Sequence, residues 1–109
     1  MPLFAADCAT DAAGHDLLIV SGDVDLATAP ELVAAADACL GPGATRPLRL
    51  DLSAVTFIDS TGISALLEIR HAAARAGVEV VVVGQSAVVD RVLSVVGITD
   101  LFGARSGGV

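Results

Sequence analysis

A chain of 109 residues with 54% hydrophobic side chains makes one small domain with a sizeable core, and none of its apolar runs reaches the roughly 18 residues needed to span a membrane. Thirteen acidic residues face six basic ones, every one of them Arg, for a net charge of −7; with only 3% aromatics, this argues against nucleic acid and for a basic protein surface as partner. The absence of lysine excludes a Walker A loop and any Schiff base.

The opening "MPLFAADCAT" lacks the basic segment of a signal peptide, so a cytoplasmic protein is expected. Within it "PLFAADC" reads as a first strand and "DLLIVSG", residues 16–22, as a second, joined by the turn-rich "ATDAAGH" in a hairpin. Cys8 and Cys39 are too few and too far apart for a metal knuckle or redox pair. They read as small core or surface residues of a reducing compartment. After the acidic turn "DVD", Thr28 and Glu31 have the spacing of a capping box and Pro30 fits a first turn, which predicts a helix to about Leu40, ended by "GPGATRP".

In "LRLDL" the residues Leu48, Leu50 and Leu52 point one way and Arg49 and Asp51 the other, as in a half-buried strand. A second helix is expected from about Ser60 to Ala76, with Ile63, Leu66 and Leu67 on one side and Gly77 as its stop. "VEVVVV", residues 78–83, reads as a central strand covered on both faces. A third helix is expected from about Ser86 to Val96, where Val89, Val92, Leu93 and Val96 recur at helical spacing. "DLF" reads as a last edge strand and "GARSGGV" as a frayed tail.

This alternation predicts an α/β fold, a mixed and mainly parallel sheet with helices packed on it. Right-handed crossovers between parallel strands would put the start of the second helix at the carboxyl edge of the sheet, with Ser60 exposed and Asp23 and Asp25 nearby. At that border Asp59, Ser60, Thr61 and Gly62 stand together. Asp, Ser and Thr all cap helices, yet one cap needs only one of them. For Ser60 and Asp59 the plain alternative is capping; for Asp23 and Asp25 it is an ordinary turn, and for Thr28 a cap. His15 and His71 are isolated in sequence and receive no role.

Two segments, "DLSAVTFIDSTGISALL" and "SGDVDLATAPEL", resemble the STAS domain in its branch of small bacterial anti-sigma factor antagonists. The first is similar to the family's strand ending in Asp, then Ser, Ser or Thr, and Gly at a helix start; the second to its acidic turn before a Thr-Ala-Pro helix start. The resemblance implies a single STAS domain over 1–109, with 104–109 expected as a disordered tail. It implies a cytoplasmic phosphoprotein of transcription regulation that works by partner switching. The unphosphorylated chain would bind an anti-sigma factor that is itself a serine kinase, and so release a sigma factor. Phosphorylation at Ser60 would end that complex, and a serine phosphatase would reset it. Asp23, Asp25, Asp59, Thr61, Gly62 and Ile63 would form the partner-binding edge, Gly62 admitting a partner backbone or nucleotide phosphate closely because it lacks a side chain. A monomer on its own is expected, with no enzyme activity, metal, cofactor, nucleic acid or membrane contact.

Rival readings weaken on particular residues. "LLIVSGDVDLA" is similar to the motif of haloacid dehalogenase phosphatases, but Ala27 replaces the expected Thr or Val and that family's lysine is impossible here. A serine hydrolase fails because "DSTGI" lacks the glycine two residues before the nucleophile, and a calcium loop from Asp23 lacks the glycine at its sixth position. A STAS scaffold or ligand-sensing module without phosphorylation is the alternative within the fold.

Overall fold

The hairpin expected at the start forms between β1, Ala5–Thr10, and β2, Asp16–Val24, which pair antiparallel from Ala5 opposite Ser21 to Thr10 opposite Asp16. The structure, a computed structural model, describes residues 3–10, 12, 14–41 and 46–96. From β2 the chain runs through α1, Ala29–Leu40, to β3, Leu48–Ile58, and through α2, Ser60–Arg75, to β4, Val80–Gln85, before α3, Ala87–Val96. β3 is parallel to both β2 and β4, giving a mixed and mainly parallel sheet in the order β1-β2-β3-β4. This is the α/β architecture expected. The strand expected at "DLF" and the tail after it lie outside the described residues.

The apolar periodicity explains which face is covered. Leu18, Val20 and Val24 of β2, Leu48, Leu50 and Leu52 of β3, and Val80 and Val82 of β4 are buried, together with Leu32 and Ala36 of α1, Leu66 and Ile69 of α2, and Val89 and Leu93 of α3. The alternate residues stay open: Ile19 is 39%, Phe57 43% and Val83 48% exposed. Among the described residues β4 therefore lies at the sheet's edge with one face covered, and the expectation of a central strand buried on both faces is corrected. A run of valines marks a strand without saying how many layers enclose it.

β3 is longer than the "LRLDL" alternation suggests, because that alternation breaks. Ser53 and Ala54 are both exposed before Val55 and Ile58 turn inward, and the pairing with β2 shifts register between Ile19 and Ser21 and again between Gly22 and Asp23. Such bulges re-aim side chains along a strand. Here they deliver Asp23 opposite Phe57 and Val24 opposite Ile58 at the carboxyl edge.

Cys8 and Cys39, expected as separate small residues, are instead joined in a disulfide with Cα atoms 5.5 Å apart. The bond ties the middle of β1 to the last turn of α1 across 31 residues of sequence. Spacing along the chain carried no sign of it, because the pair meets only once α1 has packed back over the hairpin.

At Gly22 the chain has a φ of +87°, and an added Cβ would lie 2.6 Å from the Leu3 carbonyl oxygen and 2.8 Å from the Phe4 Cα. A side chain there meets both a disfavoured backbone and a wall of backbone atoms. Gly77, with φ +74°, has nothing within 4 Å of the same position. Gly22→Ala is accordingly expected to cost about 2 kcal/mol or more and Gly77→Ala about 1–2 kcal/mol. Urea unfolding midpoints of the two variants check the order.

Candidate functional site

Asp59 alone caps α2. Its backbone is extended, with φ −118° and ψ −169°, its carboxylate accepts the Gly62 N–H at 3.1 Å, and its carbonyl accepts the Ile63 N–H at 2.9 Å. Ser60 is the first helical residue; it is exposed, and its side chain has no hydrogen bond among the described residues. Of the two residues able to cap this helix, the acid does so and the hydroxyl is left over.

Thr61 is half-buried and faces α1, while Gly62 and Ile63 point into the core. A Cβ on Gly62 would lie 2.6 Å from Ile58 Cγ1, 2.9 Å from Val24 Cγ1 and 3.0 Å from the Val24 carbonyl oxygen. The backbone that comes close to Gly62 is thus the chain's own, where the first turn of α2 sits on the ends of β2 and β3. The outward side of this edge is carried by Asp59, Ser60 and Thr61.

The acidic turn stands beside it through the parallel pairing of β2 with β3. Asp23 accepts the Thr56 hydroxyl across the strands at 2.6 Å. Asp25 Oδ1 accepts the N–H groups of Ala27 at 3.0 Å and Thr28 at 3.1 Å, and its carbonyl accepts the Ala29 N–H at 2.8 Å. The Thr28 hydroxyl closes the loop backwards, donating to the Asp23 carbonyl at 2.8 Å and accepting the Asp25 N–H at 3.0 Å. The capping box expected of Thr28 and Glu31 does not form, since the Thr28 side chain makes no cap bond to the helix. Asp25 serves that end of α1 instead, as Asx turns do.

Sequence reasoning missed two features of this edge. Thr56 holds Asp23, which no motif signals, because the two meet only through the shifted register. Leu26, at the apex of the turn, is 77% exposed. It heads a groove of about 450 Å³ between α1 and α2, with Pro30 and Val33 on one wall, Thr61 and Ser64 on the other, and Asp37 and Glu68 at its rim. The exposed hydrophobe, the hydroxyls and the carboxylates of Asp37 and Glu68 form a surface suited to a protein that brings cationic groups.

Chemically, Ser60 has among the described residues no hydrogen-bonded base that would make it a nucleophile in its own right. Among the described residues no group of three or more His, Cys, Asp or Glu is placed to hold a metal ion, and no helix is long and apolar enough to cross a membrane.

The STAS domain model matches residues 11–106. An anti-sigma factor antagonist from Mycobacterium paratuberculosis is similar in structure with a TM-score of 0.73 at 26% identity, over 94% of this chain and 83% of that one. The anti-sigma factor antagonist SpoIIAA in its unphosphorylated form is similar with a TM-score of 0.72 at 15% identity, over 89% of this chain and 84% of that one. An antisigma-factor antagonist STAS domain from Rhodobacter sphaeroides gives 0.59 at 19% identity, over 81% and 89%. No curated protein sequence matches the chain.

The division of labour at the start of α2 has a thermodynamic signature. Asp59→Ala, which removes the cap, is expected to cost about 1 kcal/mol of stability, whereas Ser60→Ala should stay within about 0.5 kcal/mol of wild type. Denaturant unfolding of the two variants, compared at equal slope, measures both.

Proposed function

The chain belongs to the STAS domain family, and on that premise we propose that it is a bacterial, cytoplasmic anti-sigma factor antagonist whose binding edge is switched by phosphorylation at Ser60. Unphosphorylated, it binds an anti-sigma factor that is also a serine kinase, and a sigma factor is released. The kinase moves the γ-phosphoryl group of ATP onto Ser60 Oγ, leaving ADP, while the hydroxyl proton passes to a base on the kinase. A serine phosphatase then delivers water to phosphorus and restores the hydroxyl with release of inorganic phosphate. The reading is supported by the structural likeness to the mycobacterial antagonist, at 26% identity.

One observation carries it: Asp59 caps α2 by itself, so the adjacent hydroxyl is exposed and has no bond to lose among the described residues. A phosphate on Ser60 adds roughly −1.5 to −2 charges and three acceptor oxygens. At the first position of α2 it meets backbone N–H groups and the positive end of the helix dipole, so the fold tolerates it. A partner seated over the same edge meets the opposite balance. It must desolvate a dianion beside Asp59 and the Asp23–Asp25 turn, and a loss of about 2.7 kcal/mol already weakens a complex a hundredfold. Binding switches while the fold stays as it is.

In this reading Asp23, Asp25, Asp59 and Thr61 form the partner edge with Leu26 as an apolar contact, and Gly62 and Ile63 support it from behind. The chain works as a monomer between complexes and performs no catalysis. A second reading, a STAS scaffold or ligand-sensing module, is favoured by the groove between α1 and α2, whose volume of about 450 Å³ would admit a small molecule.

The two readings separate in a pull-down from native extract with Ser60→Ala and Ser60→Asp as baits. We expect the Ala bait to retain an ATP-binding kinase-like protein that the Asp bait loses by about a hundredfold. Equal retention by both baits would set the switch aside in favour of the scaffold or sensor.

A further inference from the structure

The disulfide joins the least buried strand of the sheet to a helix that belongs to the core. Among the described residues β1 is an edge strand, paired only with β2, and none of its six residues is fully buried. α1 is anchored through Leu32 and Ala36, and Cys39 lies with them at 8% exposure, whereas Cys8 is exposed. One end of the bond thus lies on an exposed residue while the other is held in the core.

We propose that Cys8–Cys39 is a reversible thiol–disulfide exchange site that latches β1 to α1, with a cellular dithiol–disulfide couple as its reagent. The thiolate of the dithiol attacks the sulfur of Cys8, forming a mixed disulfide and expelling the Cys39 thiolate, which takes up a proton. The second thiol of the reagent then attacks the mixed bond. The products are two protein thiols and an oxidised reagent, and the reverse exchange closes the latch.

Opening the latch leaves β1 with its backbone ladder to β2 and the partial burial of Phe4 and Ala6. Edge strands held by so few buried contacts open at low free energy. The loosened segment includes Leu3 and Phe4, which cover Gly22, and Gly22 directly precedes Asp23. The latch therefore reaches towards the acidic turn. Its regulatory sense rests on the function proposed above, since disulfides of cytoplasmic proteins are mostly transient and redox-sensing. The latch itself needs no partner, so its failure and that of the Ser60 switch are separately readable.

The test is hydrogen–deuterium exchange of the full chain, equilibrated in mixtures of oxidised and reduced dithiothreitol from oxidising to reducing, with differential alkylation reporting the state of both cysteines. We expect the bond to open reversibly in the folded protein, amide exchange over 5–10 to rise at least tenfold on opening, and exchange over 48–58 to change less than twofold. The double variant Cys8→Ser with Cys39→Ser, in oxidising buffer, should reproduce the reduced pattern. The proposal is overturned if both cysteines alkylate in oxidising buffer, if the bond opens only on global unfolding, or if exchange over 5–10 is indifferent to the bond. A uniform rise over both segments overturns it as well, for that would make the bond a general stabiliser.

Discussion

The first turn of α2 rests so closely on the ends of β2 and β3 that position 62 has no room for a Cβ. That approach aligns the Gly62 N–H with the Asp59 carboxylate and turns Ile63 into the core. It leaves Ser60, one residue past the cap, with nowhere to point but outwards. The same strand ends carry the Asp23–Asp25 turn, because β2 and β3 are parallel neighbours and their bulges bring Val24 level with Ile58. A glycine that reads in isolation as open space for a partner is thus the contact on which the edge depends.

Two kinds of acid stand on this edge. Asp59 and Asp25 hold backbone N–H groups and so shape the two turns, while Asp23 is held by Thr56 from the neighbouring strand. Their carboxylates contribute to local structure and to the negative field at once. Ser60 contributes to neither, which separates the energetics of folding from those of binding. In the proposed switch, a charge added at such a point acts on what docks there rather than on the packing beneath it.

Much of this was legible in the sequence. The alternation of Leu48, Leu50 and Leu52, the helical spacing of Val89 and Leu93, and the order of elements follow from apolar periodicity, which reports burial directly. The cluster from Asp59 to Gly62 stood out because it holds more capping residues than one helix start uses. What escaped depends on distance in space. Nothing in the spacing of Cys8 and Cys39 tells that α1 returns over β1, and nothing near Thr56 marks it as the partner of Asp23. Thr28 with Glu31 has the letters of a capping box, yet the Asp25 carboxylate takes the Thr28 N–H that Glu31 would have held, and the Thr28 hydroxyl turns back to the Asp23 carbonyl. The valines of β4 identify a strand, but not that one of its faces stays open.

The most direct measurement is intact mass and site-localised fragmentation of the chain after incubation with ATP and native extract, beside Ser60→Ala as control. A single added phosphate on Ser60, absent from the control and removed by a serine phosphatase, is the result predicted. No phosphate, or one placed equally well on Thr61 or Ser64 in the absence of the Ser60 hydroxyl, would contradict the account.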